Sequence, residues 1–168
     1  MTVFYCSACG ALTLALTALA SVPIVPDLDS ARLKGARQGS PTVPRSRYAI
    51  DREPWGAPFV RQEDQDDPVP AFPRGPLMAT EERFVVSAGP RDTIVVHPDD
   101  VPDLQPLPRW ENSTGCCGPN GTEGPNWVCL CGARIGTLAA DCFGPYELHL
   151  APVRTYAFER EGHGSAAE

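Results

Sequence analysis

The sequence predicts a mainly β domain with short antiparallel strands and long loops rich in proline and glycine. Two runs rich in β-branched and apolar residues, 83–87 and 92–97, have the composition of strands. The 19 Pro and 15 Gly among 168 residues favour rigid loops between short elements. A chain of this length builds one modest core. We therefore expect a single domain over residues 1–158, with a loop-rich insertion at about 23–80 and a flexible polar tail at 159–168.

The apolar segment at residues 11–22 predicts a strand rather than a short helix, its alternative, because Leu12, Leu14 and Leu16 alternate with threonine and alanine. Its length is also that of the apolar part of a signal peptide. No Lys or Arg precedes it, however, and two cysteines stand just before it. No run approaches the roughly 20 apolar residues that a membrane span requires. We expect a cytoplasmic protein without a membrane segment.

The central part of the chain predicts loops and one hairpin. Runs 83–87 and 92–97 are joined by a short connection containing Gly and Pro, which is typical of a hairpin. Residues 61–76 are acidic and rich in proline, so we expect a solvated linker or a disordered loop there. Residues 23–47 read as a loop with one helical turn at 29–37, and residues 104–110 read as an extended segment.

Two segments at opposite ends of the chain share one pattern. The first reads Phe4-Tyr-Cys-Ser-Ala-Cys-Gly-Ala11, and the second reads Trp127-Val-Cys-Leu-Cys-Gly-Ala133. In each, an aromatic residue stands two positions before the first cysteine, and a glycine follows the second. Two thiolates held on a tight turn can bind one metal ion at about 2.3 Å each. The glycine permits the left-handed backbone that such a turn uses.

These paired cysteine knuckles resemble the zinc-ribbon group, in which two CxxC turns bind a single tetrahedral zinc. The resemblance covers the two knuckles only. It implies a zinc-ribbon-like fold with Zn²⁺ as cofactor, and Cys6, Cys9, Cys129 and Cys131 as the four metal ligands. Two departures stand out: the second knuckle has one spacer residue instead of two, and the insertion between the knuckles is very long for a ribbon.

The other cysteines leave the ligand set open. With seven cysteines in the chain, an odd number, a fully disulfide-bonded domain is disfavoured, and we expect zinc instead. A rival metal site takes Cys116 or Cys117 together with Cys129, Cys131 and Cys142, and two zinc sites or disulfides are further alternatives. Otherwise Cys116, Cys117 and Cys142 are buried, inert thiols, or the vicinal pair is redox-active. The glycine-rich stretch at 115–126 reads first as a turn and second as a binding loop.

Catalytic residues are not indicated by the sequence. His97, His149 and His163 stand in no zinc-protease arrangement. We expect His97 at the exposed end of a strand, His149 on the polar face of a strand and His163 in the tail. The acidic run at 63–67 lacks apolar surroundings and is interpreted as solvated rather than catalytic.

The net charge of −7 and the single lysine, Lys34, work against a nucleic-acid partner. The favoured function is a structural-zinc binding or adaptor module that contacts another protein. A zinc- or thiol-dependent enzyme is the first alternative and a nucleic-acid-binding zinc ribbon the second. The aromatic candidates for the partner contact are Trp55, Phe59, Trp110 and Trp127.

Overall fold

The computed structural model describes residues 1–24, 39–108, 114–142 and 144–160. These residues are mainly β, with 37% strand and 2% helix, as the sequence predicts. In chain order the described strands are β1 Thr2–Cys6, β2 Gly10–Ala11, β3 Thr17–Ala18, β4 Arg47–Asp51, β5 Phe59–Arg61, β6 Met78–Thr80, β7 Arg83–Ser87, β8 Thr93–Val96, β9 Leu104–Pro106, β10 Trp127–Cys129, β11 Arg134–Ala139, β12 Glu147–Leu150 and β13 Thr155–Glu159.

Some sequence-based expectations concern residues that the structure does not describe. The helical turn at 29–37, Trp110 and His163 lie outside the described residues, as do residues 161–168 of the expected tail. Among the described residues, the 3-10 turn Pro98–Asp100 follows β8. No helix in the described ranges has the length and hydropathy needed to cross a bilayer.

The described strands form three sheets. The largest has seven strands in the order β3-β4-β8-β12-β11-β10-β9. One three-stranded sheet has the order β13-β1-β2, so the N-terminal strand pairs with the last described strand. The other has the order β5-β7-β6. All pairings are antiparallel except that between β3 and β4. This topology places the beginning and the end of the described chain side by side.

The main core lies where the first knuckle, the large sheet and the second knuckle meet. It combines aliphatic residues of the central strands β8, β11 and β12 with Phe4, Leu12 and Leu16 from the N-terminal region. Cys6 and Cys129 belong to the same cluster. Two of the knuckle cysteines are therefore packed as core residues, which fixes the positions of both turns.

The predicted hairpin is wrong, although both of its strands exist. β7 pairs with β5 and β6, whereas β8 pairs with β4 and β12, so the two strands belong to different sheets. The connection between them packs against another loop instead of reversing the chain. The amide of Ala88 donates to the carbonyl of Pro58 at 2.8 Å. Gly89 lies so close to the carbonyl oxygen of Trp55 that a Cβ atom would collide with it.

The predicted continuous strand at 11–22 is also wrong. The segment contains only Ala11 of β2 and the whole of the two-residue strand β3, with irregular backbone between them. The amides of Leu12 and Thr13 both point to the carbonyl oxygen of Phe4, at 2.9 and 3.3 Å, which interrupts the regular ladder. Leu12 and Leu16 are buried, but Leu14 is 50% exposed, so the period-two pattern does not persist.

The acidic segment 61–76 is not a solvated linker throughout. The residues of the acidic run, Glu63 to Asp67, are mostly exposed, but Gln62, Ala71 and Phe72 are buried. The side-chain amide of Gln62 donates to the carbonyl oxygens of Val69 and Val85, both at 2.8 Å. This one side chain joins the segment to β7, which a composition-based interpretation does not reveal.

Candidate metal centre

The first knuckle is built at the end of β1. Cys6 is the last residue of that strand and pairs across to Gly10, so the chain reverses over residues 7–9. The amide of Ala8 donates to the sulfur of Cys6 at 3.4 Å. Gly10 has a φ of 138°, which side-chain-bearing residues rarely adopt. The glycine after the second cysteine thus has the conformational role inferred from the sequence.

The second knuckle follows β10 in the same way. Cys129 ends the strand, and its amide donates to the carbonyl of Ala133 at 2.9 Å. The amide of Gly132 donates back to the carbonyl of Cys129 at 2.8 Å. Gly132 has a φ of 83°, in the left-handed region. A single spacer, the exposed Leu130, is sufficient to present both cysteine sulfurs on one turn.

The two knuckles meet across the molecule. The sulfur atoms of Cys6 and Cys131 are 3.7 Å apart, and those of Cys9 and Cys129 are 3.2 Å apart. All four sulfurs lie within 4.8 Å of one another. A tetrahedral zinc with bonds of about 2.3 Å requires sulfur separations of about 3.8 Å, whereas a disulfide requires about 2 Å. The spacing therefore fits a shared ion better than two disulfides.

Pairing with neighbouring strands holds the two cysteine turns in place. β1 is held by β13, with Cys6 opposite Thr155. β10 is held by β9, with Cys129 opposite Leu104. Each turn is thus anchored by a cysteine that is nearly inaccessible, since Cys6 is 1% and Cys129 4% exposed. Their partners Cys9 and Cys131 are exposed, so one side of the centre faces solvent.

The protonation of the exposed thiols is set by their neighbours. Hydrogen bonds with the side chains of Cys129 and Cys131 raise the pKa of Cys9 to about 12. The backbone amide of Ala133 lowers the pKa of Cys131 to about 7. Without metal, Cys9 thus keeps its proton at neutral pH, whereas Cys131 loses its proton readily. A bound cation displaces the remaining protons, because thiolates and not thiols are metal ligands.

The three other cysteines form a separate group. The sulfurs of Cys116, Cys117 and Cys142 lie within 4.8 Å of one another and are not part of the four-cysteine group. The rival set that combined some of them with Cys129 and Cys131 is therefore wrong. The expectation of buried, inert thiols is also wrong, since Cys116 and Cys117 are exposed and Cys142 is partly exposed.

Two histidines are buried, contrary to expectation. His97 does follow a strand, but it is only 8% exposed. Its Nδ1 accepts a hydrogen bond from the amide of Asp99 at 3.1 Å, which caps the 3-10 turn. His149 is 2% exposed and lies on β12, where all four residues are buried. Neither histidine belongs to either group of cysteines.

The sequence analysis did not anticipate a buried polar network around His149. Its Nε2 is 2.8 Å from a carboxylate oxygen of Glu147, and its Nδ1 is 2.8 Å from the hydroxyl of Thr93. Arg74 donates through Nε to Glu147 at 2.6 Å and through a terminal nitrogen to Asp51 at 2.6 Å. The only signal in the sequence is the alternation Glu147-Leu-His149, which places both polar side chains on one face of a strand.

The electrostatics of this network depend on its ion pairs. Burial alone would raise the pKa of Glu147, but hydrogen bonds from His149 and Arg74 lower it to about 2. Glu147 is therefore ionised at neutral pH, and the Nε2 of His149 donates to it. Trp55 covers the imidazole, with ring centroids 3.8 Å apart and an angle of 16° between the planes. Glu147 and His149 are 0% and 2% exposed, and we interpret this arrangement as a structural cluster.

Of the expected aromatic contact residues, the three that the structure describes are not exposed. Trp55 is 2% exposed and packs on Phe72, with centroids 5.3 Å apart. Phe59 and Trp127 are partly buried against core clusters. Among the described residues, the exposed aromatic side chains are instead Tyr156 and Phe158 on β13, at 52% and 58%.

Comparison of the chain with family models, with curated proteins and with solved structures finds no match. Any proposal for the function therefore depends on the geometry of the cysteines alone.

Proposed function

We propose that this is a cytoplasmic zinc protein in which Cys6, Cys9, Cys129 and Cys131 bind one structural Zn²⁺. The observation that carries the proposal is the approach of four cysteine sulfurs to within 4.8 Å of one another from two turns at opposite ends of the chain. Four sulfur ligands in tetrahedral spacing are typical of structural zinc sites. Such an ion supplies positive charge and four bonds, and it would fasten β1 to β10.

The proposed role of the metal is to hold the described fold together. Many of the strands are two or three residues long, and pairing of this length contributes little by itself. A structural zinc contributes its binding free energy to folding. The two knuckles have no direct strand pairing with each other, because β1 and β10 lie in different sheets. The ion would thus link the sheet that contains β1 to the sheet that contains β10, in place of backbone hydrogen bonds between these two strands.

Metal removal tests this role. We expect the purified protein to contain zinc, and we expect a chelator to abolish its cooperative thermal transition, which zinc readdition should restore. The measurements are elemental analysis and far-UV circular dichroism across a temperature ramp. An unchanged transition after verified metal loss would show that the metal does not stabilise the fold.

The module is further proposed to contact another protein through an aromatic face formed by Tyr5, Tyr156 and Phe158. Tyr5 and Tyr156 are directly opposite in the β1–β13 pair and stack with centroids 5.4 Å apart. Phe158, two residues along, meets Tyr5 edge-on at 6.4 Å. Exposed aromatic clusters are enriched at protein interfaces. The net charge of −7 gives no comparable support to a nucleic-acid partner.

A matched pair of variants tests the aromatic face. Tyr156→Ser combined with Phe158→Ser should remove partners that cross-link to the wild-type protein in cells. Val153→Ser is the control, because Val153 is 87% exposed but lies outside the aromatic face. Retention of the same cross-linked partners by the double variant would refute the contact while leaving the zinc proposal intact.

A further inference from the structure

We propose that Cys116, Cys117 and Cys142 form a second metal site, which binds a thiophilic divalent cation such as Zn²⁺ through three sulfurs and leaves one coordination position exchangeable. The three sulfurs lie within 4.8 Å of one another. Those of Cys116 and Cys117 are 3.9 Å apart, close to the separation of about 3.8 to 4 Å that two thiolates adopt on one zinc ion.

Backbone hydrogen bonds hold the loop of Cys116 and Cys117 close to Cys142. The amide of Cys117 donates to the carboxylate of Asp141 at 2.8 Å, which places Cys117 beside the residue that precedes Cys142. Asp141 is 7% exposed, so its position is fixed by packing. The amide of Ala140 donates to the carbonyl of Pro119 at 2.7 Å and secures the other end of the loop.

Two glycines allow the loop at 115–118 to lie close to residues 140–142. A Cβ atom on Gly115 would collide with the carbonyl oxygen of Gly118 and would be 2.7 Å from the carboxyl carbon of Asp141. A Cβ atom on Gly118 would be 2.8 Å from the carbonyl oxygen of Ala140. The sequence Gly115-Cys-Cys-Gly118 therefore matches a loop pressed against residues 140–142. A turn that served only to return the chain to β10 would not need this contact.

The site differs from the four-cysteine centre in ligand number and access. It contains three sulfurs, with neither His97 nor His149 in the group. Cys116 and Cys117 are exposed and Cys142 is partly exposed, so solvent reaches the position where a cation would bind. A zinc ion with three protein ligands completes its tetrahedron with water or another small ligand. The inference does not depend on the proposed structural zinc, because the two groups share no residue.

Metal stoichiometry distinguishes the two sites. Native mass spectrometry of the full-length protein loaded with Zn²⁺ should show two ions per chain, and Cys142→Ser should show one, with its fold retained. If the four-cysteine centre alone were wrong, the wild-type protein would bind one ion and Cys142→Ser none. Two ions in both proteins, or one in both, would overturn the second site.

A loop variant and its control test the geometry without removing a ligand. Gly115→Ala should weaken binding of the second zinc ion at least tenfold, because the added Cβ displaces the loop from Asp141. Glu123→Ala changes an exposed residue of the same loop and should leave this affinity unchanged. Equal zinc affinities of Gly115→Ala and the wild-type protein would show that the close packing of Gly115 against Asp141 does not position the metal ligands.

Cobalt substitution and thiol counting test the open position and the competing disulfide. In the protein with Co²⁺ in both sites, added imidazole should shift the visible absorption bands, and the shift should be absent in Cys142→Ser. No shift in the wild-type protein would refute the exchangeable position. Finding only five reactive thiols after denaturation without reductant, with two of Cys116, Cys117 and Cys142 unlabelled in peptide mapping, would show a disulfide among these three cysteines and overturn the site.

Discussion

The four-cysteine centre and the buried network around Glu147 hold the molecule together in contrasting ways. The centre joins two short turns, and half of its side chains are exposed. The network joins side chains from β4, β8, β12 and the loop at 70–76, and its charged side chains are between 0 and 17% exposed. Each turn of the centre is encoded by a few consecutive residues, whereas the network exists only once distant strands have paired.

The four-cysteine centre and the Glu147 network should respond differently when one of their side chains is removed. A tetrahedral metal site loses its ion when a ligand is removed, and the loss extends to both turns. A buried network that loses one charge keeps its fold but retains an uncompensated carboxylate. The predictions below run from the largest expected effect to the smallest.

Cys129→Ser should have the largest effect. It removes a ligand that is also a core residue, and structural zinc sites bind with about 10 to 16 kcal/mol in small peptides. We expect loss of the cooperative thermal transition measured by circular dichroism. Cys116→Ser is the matched control, since Cys116 lies outside the centre, and it should still unfold cooperatively. Equal behaviour of the two variants would contradict the special role of the centre.

Arg74→Met should destabilise the protein by about 3 to 5 kcal/mol, because Glu147 and Asp51 would remain buried without a counter-charge. Arg91→Met provides the comparison. Arg91 pairs with Glu53 at 3.7 Å, and both side chains are more than half exposed. Its loss should change stability by less than about 0.5 kcal/mol. Urea denaturation measures both values, and similar losses would mean that the network is not buried as described.

The stability contributed by Glu147 should depend on pH. Its pKa is lowered from 4.5 to about 2 in the folded protein, so the unfolded chain takes up the proton first as the pH falls. The contribution is fully present above about 4.5 and is lost as the pH falls through about 2. A shift of this size corresponds to about 3 kcal/mol.

Glu147→Gln isolates this dependence from acid-induced metal loss, which affects both proteins alike. The stability difference between the wild-type protein and Glu147→Gln should shrink between pH 4.5 and pH 2 in urea titrations. A difference that stays constant over this range would contradict the lowered pKa.

Apart from the control variants, Gly132→Ala should produce the smallest effect, a loss of about 1 to 2 kcal/mol. The φ of Gly132 is 83°, and nothing lies within 4 Å of an added Cβ, so the cost comes from backbone strain alone. Gly144→Ala is the control, because that position also has open space but has no left-handed φ. Calorimetry should show a lower melting temperature for Gly132→Ala only. A similar decrease in Gly144→Ala would mean that the strain argument is wrong.

The sequence predicted the turn-based features well because they depend on neighbouring residues. The mainly β class and both knuckle turns follow from local composition and spacing. The structure brings Cys6, Cys9, Cys129 and Cys131 together, while their role as zinc ligands stays a prediction. The vicinal cysteines were recognised as unusual, but their proximity to Cys142 follows from the contact of their loop with Asp141.

Features that depend on which strands pair were not predictable from pattern alone. His149 alternates with apolar residues and therefore looked exposed, but both faces of β12 are covered. One face packs in the main core, and on the other Trp55 covers the imidazole. The strands at Arg83–Ser87 and Thr93–Val96 were found correctly, yet their separation into two sheets depends on packing of their connection against residues 55–58.

X-ray absorption at the zinc edge tests the central claim most directly. The suitable sample is Cys142→Ser loaded with one equivalent of zinc, which removes any signal from the second group of cysteines. The account predicts four sulfur neighbours at about 2.3 Å, and loss of this signal when Cys6→Ser is added. A first coordination shell that contains nitrogen or oxygen, or fewer than four sulfurs, would contradict it.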